Sequence, residues 1–236
     1  MLVAGFPAGP LAANCYVLAP GAGAECVVVD PGQAALDRLE SVLDEHRLRP
    51  VAVLLTHGHL DHVANARAVC SRAEAPAYLH AADEYMLDDP LAALSPELRA
   101  GITAFLQPGD DLDALRPDGV EILGGEGSSP GDWPRVLELA GLEFEVLGTP
   151  GHTGGSVVYR IAAEADRPEI LLTGDTLFAG SIGRTDLPGG STPQILESIT
   201  AQLLTRPDDA VVLPGHGATS TIGAERAGNP FLRDLR

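Results

Sequence analysis

Seven side chains in four short stretches of this sequence are of the types that hold divalent cations. Directly after an apolar run at 51–55 comes Thr56-His57-Gly58-His59-Leu60-Asp61-His62, three imidazoles and a carboxylate within six residues. His152 follows in Thr149-Pro150-Gly151-His152-Thr153-Gly154-Gly155-Ser156, Asp175 in Thr173-Gly174-Asp175-Thr176, and His216 in Pro214-Gly215-His216-Gly217. Imidazole nitrogen and carboxylate oxygen are ligands that zinc, iron and manganese accept, and a turn lets neighbours in sequence point at different coordination positions. A lone His or Asp after a strand is more often an ordinary turn residue. Here five of the chain's seven histidines fall in three Gly-flanked turns at the ends of apolar runs, a grouping with no comparable structural explanation. A metal pair in such a site acidifies a water and polarises the carbonyl it attacks, which is hydrolytic chemistry.

Ligands drawn from distant stretches need rigid elements to bring them together. Apolar runs at 14–19 and 25–29, separated by Pro20-Gly21-Ala22-Gly23-Ala24, read as a hairpin whose second strand ends in Asp30-Pro31-Gly32. Residues 34–48 carry Leu36, Leu39, Val42 and Leu43 at helical spacing, and Pro50 marks a stop before the strand at 51–55. Residues 61–73 have helical composition and lead through Pro76 to a short strand at 77–79. From 81 to about 135 the pattern weakens into Gly-rich, Pro-containing clusters around one helical stretch at 96–106, and this segment reads as an insertion in a single domain spanning 1–236. Strand signals return at 142–147, 156–161, 169–172 and 210–213, while Ser191-Thr192-Pro193 caps a helix running to about 204. No short-period repeat is visible, so a solenoid or propeller is not supported.

At 236 residues and 45% hydrophobic content the chain can build one sizeable core. Its formal charge is −18, and all fifteen basic residues are scattered arginines, so no basic stripe exists for phosphates and nucleic acid is not an expected partner. Bound cations would offset part of that charge. Cys15, Cys26 and Cys70 are odd in number and lack CxxC spacing, which indicates neither a disulfide framework nor a thiolate zinc site and fits a reducing cytoplasm. Pro7, Pro10 and Pro20 interrupt the apolar start and the first basic residue is Arg38, so no signal peptide is expected. No run of about 18 apolar residues free of Gly, Pro and charge occurs, so a soluble protein without a membrane span is expected, its oligomeric state left open.

The motif set resembles the metallo-β-lactamase superfamily, in which a THxHxDH loop is followed by a later His, an Asp and a final His. The resemblance covers nearly the whole chain. Residues 149–156, Gly174-Asp175-Thr176-Leu177-Phe178 and Gly183-Arg184-Thr185-Asp186 look most like the glyoxalase II (hydroxyacylglutathione hydrolase) branch. The resemblance implies an α/β fold, a four-layer α/β/β/α sandwich with the metals at one edge. It places His57, His59 and His152 on one metal, Asp61, His62 and His216 on the second, and Asp175 across both. The implied cofactors are two divalent ions, zinc first, with iron or manganese as alternatives. Asp61 and Asp175 would be the catalytic carboxylates that help hold the attacking hydroxide. The implied substrate is a small-molecule acyl-thiol such as a 2-hydroxyacyl-glutathione, whose thiolate, with a pKa of about 8.5, departs without obligatory protonation.

Asp30 could orient a ligand His or simply end a strand, and Arg184 with Asp186 could contact substrate or form an exposed ion pair. Classical glyoxalase II enzymes continue into a helical segment that supplies thiol-binding residues, whereas twenty residues follow His216 here and there is no Lys to clamp glutathione carboxylates. Another acyl-thiol or a smaller ester is therefore also open, and segment 81–135 could cover the pocket instead. Two alternatives share the resemblance. An iron-dependent persulfide dioxygenase would use His57, His152 and Asp175 as a facial triad, and lactonase or β-lactamase chemistry occurs on the same fold.

Overall fold

The central strands are continuous buried runs, so each sheet has two buried faces, and the chain uses both. The computed structural model describes residues 1–95, 98, 99, 112, 115–125 and 135–235. The first sheet runs, in order, β1 (Leu2–Ala8), β2 (Ala13–Ala19), β3 (Glu25–Val29), β4 (Arg49–Leu54), β5 (Ala77–His80) and β6 (Val120–Leu123). Its first three strands are antiparallel and β3 to β6 are parallel. The second sheet comprises β7 (Arg135–Leu139), β8 (Leu142–Gly148), β9 (Val157–Ile161), β10 (Ile170–Gly174), β13 (Val211–Pro214) and β14 (Ser220–Thr221), with β14 and β7 at its edges. Between β10 and β13 the chain makes a two-stranded ribbon, β11 (Leu177–Phe178) and β12 (Ser181–Ile182).

Residue parity assigns the layers. Tyr16, Leu18, Val27, Val29, Ala52 and Leu54 face Phe144, Val146, Tyr159 and Leu172 across the gap between the sheets. Their neighbours Cys15, Val17, Val28 and Val53 point the other way, against Leu39 and Val42 of α1 (Leu36–His46) and Ala66 and Val69 of α3 (Ala66–Ala73). On the far side Val158, Leu171 and Val212 pack under Ile195 of α4 (Thr192–Ser198), Ile199 in the π-helical turn that continues it, and Ile222 of α5 (Ile222–Gly228). Helix, sheet, sheet, helix is the expected sandwich, and Ser191 caps α4 by accepting from the Gln194 N–H. Cys15, Cys26 and Cys70 are buried free thiols, and burial pushes Cys26 and Cys70 up to about 12.

Several elements depart from the sequence expectation. Pro50 lies inside β4, opposite Cys26 at a register irregularity, where a missing N–H is tolerated. The helix expected at 61–73 is two pieces, α2 (Leu60–Val63) and α3, because Asn65 leaves the helical course to receive the Ala35 N–H on Oδ1 and to donate its own N–H to Pro31 O. β1, β6, β7, the ribbon and α5 carried too little periodicity to be read. Both ends of segment 81–135 belong to the sandwich: residues Ala81–Leu87 form a 3-10 turn beside β5, and β6 pairs in parallel with β5. The helix expected at 96–106 lies, apart from 98 and 99, outside the described residues. Among the described residues no helix is long and apolar enough to cross a membrane.

Phe144 is fully buried between the sheets. Phe144→Ala should cost about 3–5 kcal/mol, read as a lower urea midpoint at unchanged slope.

Candidate metal centre

All the motif turns leave strands at one edge of the sandwich. β3 and β4 are parallel, and β8, β10 and β13 run in one direction because β9 is antiparallel to both of its neighbours. Their C-terminal ends therefore deliver residues 30, 56–62, 149–152, 175 and 216 to one place. Gly215 makes the convergence sterically possible: a Cβ there would lie 2.2 Å from Asp175 Oδ1 and 2.8 Å from His62 Cε1. Gly32 performs the same service below Asp61, whose carbonyl oxygen would be 1.7 Å from an added Cβ.

The seven residues singled out from the sequence come together. One set of donor atoms belongs to His57, His59 and His152, another to Asp61, His62 and His216, and a third, overlapping both, to His57, His62 and Asp175, each set lying within 4.8 Å and able to hold a metal ion. In the first set His59 Nδ1 faces His152 Nε2 at 2.9 Å. In the second, His62 Nε2 faces His216 Nε2 at 3.3 Å, and Asp61 Oδ2 lies 3.2 Å from His216 Nε2. Asp175 stands between them, with Oδ1 3.4 Å from His62 Nε2 and Oδ2 3.5 Å from both His152 Nε2 and His216 Nε2. His57 Nε2 and Asp175 Oδ1 are buried without a hydrogen-bond partner. Buried polar atoms without a partner are costly. A shared cation relieves that cost, so the donor set fits a metal pair.

Outer acceptors set which nitrogen faces inward. Thr56 donates its N–H to Asp30 Oδ1 at 2.8 Å and its hydroxyl to Oδ2 at 2.7 Å, leaving Thr56 Oγ1 to accept from His57 Nδ1 at 3.0 Å. His62 Nδ1 donates to Asp30 Oδ2 at 3.0 Å, His152 Nδ1 to Arg184 O at 2.8 Å, and His216 Nδ1 to Leu11 O at 3.0 Å. Four imidazoles thus turn Nε2 inward, the second-sphere arrangement that fixes tautomer and ring orientation. Asp30, for which ligand orientation and a plain turn were equally open readings, serves two of them. Its backbone has φ 49°, a left-handed conformation that aims its carboxylate under the loop. Arg184 and Asp186 form an exposed bidentate ion pair, at 2.8 and 2.9 Å, while the Arg184 carbonyl serves His152.

Sequence reasoning missed Asp83. It is fully buried, and its carboxylate accepts the Gly58 N–H and the Thr153 hydroxyl on Oδ2, at 2.9 and 2.7 Å, and the Gly155 N–H on Oδ1 at 2.8 Å. One side chain thereby ties the loop of His57 and His59 to the loop of His152. Nothing in Ala81-Ala82-Asp83-Glu84 distinguishes this carboxylate from the exposed acids beside it. Asn14 and Tyr16 of β2 also went unread, although both donate to Pro214 O, at 2.9 and 2.8 Å, and steady the turn of His216.

Burial, reinforced by neighbouring imidazoles, holds His57 far below the usual histidine range and lowers His59 to about 3, so both rings keep free lone pairs. For His62 burial works the other way from its neighbours, and Asp61, Asp175 and Asp30 prevail, raising it to about 10. Burial opposes ionisation of Asp61, yet His62 and His216 keep it well below the carboxylate range. A cavity of about 530 Å³ opens over this floor, with walls that include Leu60, Leu94, Phe178 and Leu187 and with Arg184 at its side.

Two outcomes follow from this geometry. Asp83→Ala strands the buried Gly58 and Gly155 N–H groups at ~1–3 kcal/mol each and removes one of two partners of the Thr153 hydroxyl, so it should lower unfolding stability by about 2–5 kcal/mol, and a loss below about 1 kcal/mol would contradict the clamp. In protein stripped of metal by a chelator, the charged His62 stabilises the fold fully below its unfolded value of 6.5 and loses that contribution as pH rises through about 10. The stability difference between the stripped wild type and His62→Gln should therefore shrink over that window, and metal affinity should rise across it as the proton leaves. Paired denaturant titrations and metal titrations between pH 6 and pH 10 check both.

A family model described as "Metallo-beta-lactamase superfamily" matches residues 8–216. The chain is 47% identical to a protein of Mycobacterium tuberculosis over 237 aligned residues, covering 100% of this chain and 99% of that one. It is 35% identical to the hydroxyacylglutathione hydrolase GloC of Haemophilus influenzae over 205 residues, 87% of this chain and 86% of the relative. Among solved structures it is similar to the BLEG-1 B3 metallo-beta-lactamase, at TM-score 0.79 and 36% identity, covering 98% of this chain and 100% of that one. It is also similar to TTHA1623 in a di-iron-bound form, at TM-score 0.75 and 31% identity, covering 97% and 100%. The family match over most of the length, on a fold and a His/Asp cluster of this kind, settles membership: the chain belongs to the metallo-β-lactamase superfamily.

Proposed function

We propose that this chain is a metal-dependent hydrolase that cleaves a small-molecule acyl thioester, acting as one domain over 1–236. His57, His59 and His152 would hold one divalent cation, Asp61, His62 and His216 the other, and Asp175 would bridge them. The observation that carries this reading is the convergence of inward-facing donor atoms, including the partnerless His57 Nε2 and Asp175 Oδ1, beneath an apolar cavity. A bound cation pair supplies water acidified toward neutral pH and a polarised carbonyl.

The protein's own groups do the rest. Asp30, Arg184 O and Leu11 O hold the imidazoles in one tautomer, so no reorganisation is needed when charge develops. Asp61, kept ionised, presents an oxygen that can accept a proton from an attacking water, and Asp175 Oδ1 presents a second acceptor. Leu60, Leu94 and Phe178 exclude bulk water from the carbonyl. Among the described residues lining the cavity, the side chains outside the ligand set are Gln33, Arg184 and apolar groups, none of them a carboxylic acid, imidazole or phenol that could protonate a leaving group. Such a wall suits a leaving group that needs no proton, and a thiolate is one. Similarity to GloC supports a thioester. The complete second donor set supports two cations over the single iron of a dioxygenase. Zinc is the cation proposed first, with iron the alternative that the di-iron relative supports.

Metal analysis and assays on one preparation test the reading. Expected are two cations per chain, thioester cleavage independent of oxygen, and loss of cleavage on chelation that returns with metal. One iron per chain with thiol-dependent oxygen uptake and no cleavage would reject it. Asp175→Ala should lower metal occupancy and activity together, by more than the roughly 10–100-fold that outer partners control; a fully metallated, active variant would rule out the bridging role.

A further inference from the structure

The walls of the cavity, not its floor, narrow the substrate within the thioesterase reading proposed above, on which this inference rests. We infer that the thioester taken here pairs an apolar acyl chain with a thiol that bears no cluster of carboxylates, so that glutathione is not its carrier. The described wall is made of Leu60, Leu94, Leu98, Phe178, Ile182 and Leu187, around a space of about 530 Å³, a size ordinary for small-molecule sites. Apart from the ligand cluster, Gln33 and Arg184 supply its polar lining. The Arg184 guanidinium is already engaged, donating through Nε and Nη2 to both oxygens of Asp186 at 2.8 and 2.9 Å.

A glutathione moiety brings two carboxylates. Away from the metal floor they would find no uncommitted cation among the described lining residues, since the Arg184 guanidinium is held by Asp186, and the whole sequence holds no Lys. Carboxylates desolvated against this apolar wall without a cation partner oppose binding. An alkyl chain meets the opposite situation, since each methylene removed from water against this wall favours binding by roughly fourfold. In the reaction itself water oxygen bonds to the thioester carbonyl carbon. The C–S bond breaks with its electron pair on sulfur, and a carboxylate, a thiol and one proton result, with no oxidant or reductant.

The test uses the full zinc-loaded chain and two families of thioesters. One carries acetyl, butyryl and hexanoyl groups on N-acetylcysteamine, and the other carries the same acyl groups, and lactoyl, on glutathione. Expected is a rise in kcat/KM of at least roughly tenfold from acetyl to hexanoyl, with the N-acetylcysteamine ester preferred over its glutathione counterpart. Leu94→Asn should cut the hexanoyl-to-acetyl ratio several-fold. Asp186→Ala, which frees the Arg184 guanidinium, should shift the preference toward glutathione esters by up to about fivefold. A flat chain-length profile, or a tenfold preference for glutathione esters, would overturn the inference and leave the thioesterase reading standing. Failure of the fully metallated protein to cleave any thioester would sink both.

Discussion

Five imidazoles and three carboxylates are gathered in a mostly buried cluster where water screens them poorly, and the rest of the molecule is arranged around that electrostatic problem. Asp30 is its hub. Through Thr56 and His62 it turns two rings so that their second nitrogens face inward. Backbone carbonyls of Leu11 and Arg184 do the same for His216 and His152. The inward atoms then lie at contact distance from one another, an arrangement that is unfavourable for neutral rings and favourable around positive charge. His62, boxed by Asp61, Asp175 and Asp30, takes a proton in answer to the same field.

Rigidity comes from the sandwich. Five strand ends, two from the first sheet and three from the second, meet at one edge, and the inter-sheet core of Phe144, Tyr159 and Leu54 sets their spacing. Loops on such ends would still be free to splay, and Asp83 prevents this by bridging the two loops that carry the first donor set. The β1–β2 turn closes over the opposite side, where Ala13 bridges to His216 and the Asn14 side chain holds the backbone on both sides of that ligand. A site assembled this way holds its geometry before any cation or substrate arrives.

Polarity is divided sharply across the cavity, with charge on its floor and aliphatic side chains on its walls. Within the superfamily the floor is the shared part, and fold alone does not select a substrate. The walls come from different places: the α2 start, residues Pro90, Leu94 and Leu98, the β11–β12 ribbon and the loop after it. The ribbon is held from behind by Glu225 of α5, which accepts the Gly180 N–H at 2.8 Å and the Asn229 amide at 2.8 Å. Changes in these peripheral segments can reshape the pocket without disturbing the donor cluster.

The donor residues were legible in the sequence because their chemistry is local: a six-residue loop with three imidazoles and a carboxylate announces itself whatever surrounds it. The sandwich was legible where near-continuous apolar runs mark strands buried on both faces, as in β2, β3 and β9, and illegible in partly exposed edge strands such as β1 and β6, which have no such buried run. That the seven donors converge, with Asp175 within 3.5 Å of His62, His152 and His216, depends on strand order and direction, and no spacing encodes these. Asp83 and the Leu11 carbonyl lay beyond sequence reasoning for the same reason. An acid reaching residues 58, 153 and 155, or a carbonyl reaching residue 216, acquires its role through contacts that exist only once the two sheets have closed on each other.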